Sequence, residues 1–258
     1  MNTKNLVLSL VATVGLVATA SGQVTITGDY NDLFLGFRKG GSNDVVVDLG
    51  SLSLFTATGT GSYYNPGTAV SISRLSTADL SAVYGANWNG TSAASWGVVG
   101  AAPEGNNNTS FGDNTLWVSS RNASFTPLSY DDQALAGANI FGMATGIVGA
   151  MSTANSNFTA IMASTDNGYT YNITATTGAL WNVFTSANKL ENTTAGISTM
   201  ELFQLNPGAA HGIDLGTLTL SSSGLTFTAI PEPSTYAMIL GVFALGFVML
   251  RRRAHASV

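Results

Sequence analysis

Hydrophobic and polar residues alternate with a period of two through much of the chain. That spacing places alternate side chains on opposite faces of a β-strand. Val24-Thr25-Ile26-Thr27 opens the pattern, and Gly28-Asp29 turns it. Asp32–Arg38 and Asp44–Leu49 are the next predicted strands, joined by the turn Lys39-Gly40-Gly41-Ser42-Asn43. Together the three read as an antiparallel meander. Continuous apolar runs such as Val45-Val46-Val47 predict burial on both faces. Gly50–Gly67 is Gly-, Ser- and Thr-rich and reads as a long surface loop, followed by a short strand over Val70–Arg74.

The middle of the chain is more mixed. Ser76 with Asp79 three positions on reads as a helix start, running to about Tyr84 and stopping at Gly85. Ser95–Val99 and Thr115–Ser120 read as strands, with the loop Pro103–Asn114 between them. Ser129 caps a predicted helix from Tyr130, with Asp131 and Asp132 in its first turn. The glycines beyond Gly137 argue against a long helix there. Asn157–Ala163 fits a short helix or a strand. Asp166-Asn167-Gly168 is a hairpin-turn signal leading into a strand Tyr169–Thr174. Ser198–Leu205 is a strand ended by Asn206-Pro207-Gly208. Leu215–Leu220 and Leu225–Thr228 form a closing hairpin. The expected fold is mainly β: an antiparallel β-sandwich-like domain with a few short helices.

Both ends of the chain break this pattern. Lys4 precedes an apolar stretch Leu6–Ala18, and Ala20-Ser21-Gly22 offers small residues before Gln23. This is the layout of a secretory signal peptide over residues 1–22, cleaved between Gly22 and Gln23, with Ala18-Thr19-Ala20 as the alternative site. At the other end, Tyr236–Leu250 is an uncharged run of 15 residues followed by Arg251-Arg252-Arg253. As a helix it spans roughly 23 Å, slightly short of a hydrocarbon core of about 30 Å. Its eight strongly apolar residues contribute about −2.5 to −5 kcal/mol to insertion. The arginines predict a cytoplasmic C-terminus, with everything before the helix outside. Pro231 and Pro233 keep Glu232 on an extended, accessible segment.

An extended Pro231-Glu232-Pro233-Ser234, a short membrane helix and an arginine cluster, in that order, resemble the PEP-CTERM sorting domain of Gram-negative bacteria. The resemblance covers residues 231–258. It implies a membrane-embedded exosortase as partner, cutting near the Pro-Glu-Pro motif. It also implies export through the Sec translocon and transient residence in the inner membrane. Release to the cell surface or extracellular matrix follows, with extracellular polysaccharide as a further partner. Asp32–Phe37 and Leu215–Phe227 look like segments recurrent in such exported proteins, and no activity attaches to them. Three units are expected: signal peptide 1–22, exported domain 23–230 and sorting tail 231–258.

Composition narrows the chemistry. The 258 residues include no cysteine, so disulfides and thiolate metal sites are excluded. Only 9 % of residues are charged, against about 25 % in ordinary domains. Between Gln23 and Ile230, Arg38, Lys39, Arg74, Arg121 and Lys189 face ten Asp and three Glu, a net charge of −8. That balance disfavours nucleic acid and anionic lipid.

Candidate catalytic chemistry is thin. His211 is the one histidine of the domain, on a Gly/Ala-rich loop, and no Gly-x-Ser-x-Gly elbow or phosphate-cradling loop occurs. One histidine does not make a zinc site. Asp29-Tyr30-Asn31-Asp32 and Asp113-Asn114 are oxygen-rich enough for calcium but lack EF-hand spacing, and such residues usually make turns. Asn-x-Ser/Thr triplets at Asn89, Asn107, Asn108, Asn122, Asn157, Asn172 and Asn192 read as neutral polar groups facing water, with glycan attachment as the alternative. No cofactor and no metal are expected. The reading is a non-enzymatic structural or adhesive surface protein. The alternatives are a displayed carbohydrate-binding module, which needs Trp88, Trp96, Trp117 or Trp181 exposed on one face, and a secreted hydrolase, which needs two acids about 5–10 Å apart in a cleft.

Overall fold

The structure, a computed structural model, describes residues 24–25, 31–56, 63–90, 93–102, 111–125, 128–147, 151–152, 158–166, 169–170, 190–230 and 240–249. Ala20, Gly22 and Gln23, at the expected signal-cleavage site, lie outside them. So do Pro231, Glu232, Pro233, Ser234, Tyr236, Leu250 and Arg251–Arg253 of the tail, and Trp181.

The fold is mainly β and antiparallel. In chain order the strands are β1 (Val24–Thr25), β2 (Asp32–Arg38), β3 (Asp44–Ser51), β4 (Ala69–Ile72), β5 (Ser95–Ala102) and β6 (Thr115–Ser120). After them come β7 (Met151–Ser152), β8 (Thr159–Met162), β9 (Asn192–Thr193), β10 (Ser198–Leu205), β11 (Ile213–Ser221) and β12 (Gly224–Ala229). Among the described residues, α1 (Thr77–Tyr84) and α2 (Tyr130–Ile147) are inserted between these strands. One large sheet runs β4-β12-β11-β10-β6-β5-β2-β3-β8, with β9 added on β5.

Alternation along each strand divides the apolar side chains between two cores. Leu33, Leu35 and Phe37 of β2 join Trp96 and Val98 of β5, Met200 and Leu202 of β10, and Leu218 and Phe227 of the closing hairpin. Phe34, Val99, Leu116, Val118 and Phe203 point the other way. The sheet is rolled, because Phe55 beyond β3 meets Phe227 of β12 edge-on at 5.5 Å although many strands separate them in the sheet order. The first core fills the inside of the roll. α2 covers the second, burying Ala136, Ile140, Met143, Ala144 and Ile147 at helical spacing.

Several expectations are corrected. β1 does not continue a meander: Val24 and Thr25 pair with Ser152 and Met151 of β7, since β2 already has β3 on one side and β5 on the other. The expected loop after Gly50 begins as ordered chain, with a 3-10 turn Leu52–Phe55 that buries Leu52 and Phe55. α2 runs through Gly137, Gly142 and Gly146 to Ile147. Each glycine costs a helix about 1 kcal/mol, and each large apolar side chain it buries returns ~1.5–3 kcal/mol. Ser129 starts it as expected, its Oγ accepting from Asp132 N at 3.1 Å and donating to Asp132 Oδ2 at 2.7 Å. Tyr169 and Thr170 are helical rather than extended, and the remainder of that expected strand lies outside the described residues. Asn157–Ala163 resolves as the strand β8. α1 ends at Gly85 as expected, although Ser76 makes no side-chain cap bond.

Among the described residues no helix is long and apolar enough to cross a membrane. Residues 240–249 are helical, and the rest of the expected span 236–250 is outside the described residues. Within 240–249, Leu240, Val242, Phe243, Leu245, Phe247, Val248 and Met249 are all exposed.

Candidate functional site

The turn between β2 and β3 closes over a cleft of about 240 Å³, lined by Arg38, Lys39, Gly40, Ser95, Ser164 and Thr170 among others. Its polar wall is built from three distant parts of the chain. Arg38, last residue of β2, forks onto Glu191: Nε donates to Oε1 at 2.8 Å and Nη2 to Oε2. Their side chains are 30 % and 11 % exposed, so the pair is only partly screened by water. The hydrogen bonds to Glu191 raise the Arg38 guanidinium above its ordinary value, so it stays charged. Asp44, first residue of β3, is buried and accepts from both the backbone N–H and the hydroxyl of Thr170. Burial raises the Asp44 carboxyl, and the two Thr170 bonds oppose the rise.

Tyr169 sits behind this wall, fully buried. Its ring rests on two glycines that face each other across β2 and β5, Gly36 and Gly97. A Cβ on Gly36 would stand 1.9 Å from the ring, and one on Gly97 would stand 2.5 Å from the hydroxyl. Burial first, then the Glu191 charge, push the phenol well above its ordinary range, so Tyr169 stays neutral. Tyr84 of α1 closes the far side of the turn, its hydroxyl bonding to Phe37 O at 2.9 Å and Asn43 O at 3.0 Å.

A second polar cluster lies near the seam where the rolled sheet returns on itself. Asp48 of β3 is buried, accepts from Gly50 N at 2.7 Å and pairs with Arg74 Nη1 at 2.9 Å. Arg74 follows β4, at one edge of the sheet, and its guanidinium stacks 4.3 Å from the ring centroid of Phe158, next to β8 at the other edge. It therefore clasps the two edges together. Burial, and then the neighbouring charge of Asp32, push Asp48 up to about 7, with Arg74 opposing. Asp32 is likewise buried.

The residues singled out in the sequence are placed as follows. Trp88, Trp96 and Trp117 are buried and fill the core, so they offer no sugar-stacking platform. Trp96 Nε1 donates to Ser198 Oγ at 2.7 Å, and Trp117 packs edge-on to Phe111 at 4.6 Å. His211 is exposed on its loop. Asp79 is buried in α1. Asn114, beside Asp113, takes the left-handed conformation at φ 62° and donates to the Tyr130 hydroxyl at 3.0 Å, a turn role. Among the described residues no three His, Asp or Glu converge as metal ligands do. Sequence reading missed the Arg38–Glu191 pair, whose partners are 153 residues apart, and the Arg74 clasp. The Tyr169 cradle had a usable signal, since isolated glycines inside strands mark a close approach.

The cleft offers a fixed guanidinium, a lysine and three hydroxyls, which is binding chemistry. The Asp32–Asp48 carboxyls are both buried, which is the chemistry of a structural clasp. No protein-family model, no curated protein and no solved structure matches this chain.

Proposed function

We propose that the chain is the precursor of an exported surface or extracellular-matrix protein. Its signal peptide, residues 1–22, directs export, and its tail, residues 231–258, is a PEP-CTERM sorting signal. An exosortase cuts near Pro231–Pro233 and releases a domain with a structural or adhesive role. Before the cut the precursor is held in the inner membrane with its C-terminus cytoplasmic. In this reading the two walls of the roll face each other as a sandwich-like domain.

The observation that carries this reading is the sharp end of the fold. Ile230 N still bonds Leu215 O at 3.2 Å, and Tyr64 OH bonds Ile230 O at 3.0 Å. The Pro-Glu-Pro motif begins at the next residue. A cut there leaves every described strand intact. The exposed apolar side chains of 240–249 suit a lipid environment. The burial of three tryptophans removes support from a sugar-stacking module.

The test is the C-terminal peptide of the protein isolated from its own host, by mass spectrometry, from membrane and from culture medium. A product ending near Glu232 and lacking 236–258 is expected. An intact tail found only in the membrane would overturn the reading.

A further inference from the structure

The antiparallel register fixes which rim of the sheet the tail leaves from. Ile230 continues β12, and the same rim carries the start of β11 and the end of β10, since Gly216 pairs Ala229 and Gln204 pairs Ile213. It also carries the start of β4, since Ala69 pairs Thr228. Two large aliphatic side chains are exposed there: Ile213, 47 %, and Ile230, 40 %. Tyr64 lies beside Ile230, its hydroxyl bonded to the Ile230 carbonyl, and Gly67 N bonds Ala229 O. The neighbouring loops, residues 63–68 and 206–212, contain no Asp, Glu, Lys or Arg. Among the described residues the acids of this rim are Asp214, half-buried and bonded to Gly216 N, Asp32, buried, and Asp113, exposed farther round toward α2. The opposite rim holds Arg38 and Lys39 at the β2–β3 turn, Arg121 just past β6, and an isolated exposed Ile197 before β10.

Chain length brings the first rim to the membrane. Five residues, and so six Cα–Cα steps, lie between Ile230 and Tyr236, where the apolar run begins. Fully extended they span at most about 20 Å, little more than the headgroup layer of ~5–8 Å plus one strand-end loop. Tyrosine and isoleucine beside loops that carry no Asp, Glu, Lys or Arg make the kind of surface that settles at a lipid–water interface. The net charge of −8 steers it toward zwitterionic rather than anionic headgroups.

We propose that, before processing, the domain docks on the zwitterionic headgroup region through the rim formed by Tyr64, Ile213, Ile230 and loops 63–68 and 206–212. The inference rests on the tail being membrane-inserted. Docking holds the Pro231–Pro233 segment at the membrane surface, where a membrane-embedded protease works.

The chain has no cysteine, so single-cysteine labelling is clean. The full chain is placed in phosphatidylcholine nanodiscs with a polarity-sensitive fluorophore on Ile213→Cys, Thr68→Cys, Ile197→Cys or Phe243→Cys, each checked for native circular dichroism. Thr68 is an exposed residue of the 63–68 loop and supplies a second probe should Ile213→Cys fail to fold. The expected result is a blue shift with increased intensity at 243, 213 and 68, and none at 197. A shift at 243 alone overturns docking but leaves the inserted tail standing. No shift at 243 overturns both. Equal shifts at 213, 68 and 197 mean general adsorption and overturn the assigned rim.

Discussion

Asp48 makes the stability of this domain depend on pH in an unusual direction. Its carboxyl moves from 3.8 in the unfolded chain to about 7 when buried against Asp32, despite the Arg74 guanidinium at 2.9 Å. An acid whose folded value is raised stabilises the fold fully below the unfolded value. That contribution is lost as pH climbs through the folded value. At 1.36 kcal/mol per unit the loss between pH 4 and pH 8 is ~4 kcal/mol. Burial raises Asp44 and Asp214 as well, so they act in the same direction. With a urea slope of about 2 kcal/mol/M, the unfolding midpoint of residues 23–230 falls by ~2 M across that range. Asp48→Asn removes the titrating proton and keeps a carbonyl oxygen for Gly50 N, so most of the slope disappears and the variant exceeds the parent at pH 8. Asp32→Asn lowers the slope less, because burial is the larger cause. Urea titrations at half-unit pH steps, followed by tryptophan fluorescence, measure this directly. A parent more stable at pH 8 than at pH 5, or a slope unchanged by Asp48→Asn, would refute the reasoning. Either result would mean that the Arg74 pair outweighs burial and keeps Asp48 ionised.

Two further outcomes follow from the cleft. Gly36→Ala puts a methyl into the Tyr169 ring and is expected to cost at least ~1–3 kcal/mol as overpacking; calorimetry reads the cost, and in a Tyr169→Ala background it should largely vanish as a coupling energy. Arg38→Ala leaves the largely buried Glu191 without its fork, a loss of about 1–3 kcal/mol, and the double variant Arg38→Ala/Glu191→Ala should recover part of it; additive losses in denaturant titrations would show that the pair carries no coupling.

Some features were legible in the sequence because they are set within a few residues. β2, β6 and β10 have the expected bounds, since alternation and flanking turns act locally. α1 stops at Gly85, where φ is 88° and an L side chain is disfavoured. The two-residue turn Ser222-Ser223 closes β11 onto β12. The order of apolar N-terminal stretch, β-rich stretch, Pro-Glu-Pro and apolar run is likewise read from the sequence alone.

Tertiary structure decided the rest. Nothing local to β1 says that its partner is β7, nor that β2 lies beside β5. Loop-closure entropy grows only logarithmically with length, so distance along the chain scarcely ranks one pairing above another. Which strands meet is settled by which faces both bury. The same holds for α2, where local propensity against three glycines lost to the apolar face it covers. It holds again for Arg38 with Glu191, Arg74 with Asp48, and Tyr169 on its glycine pair. A charge in the sequence does not state its partner, because that partner is chosen by the roll of the sheet and the low dielectric it creates around both.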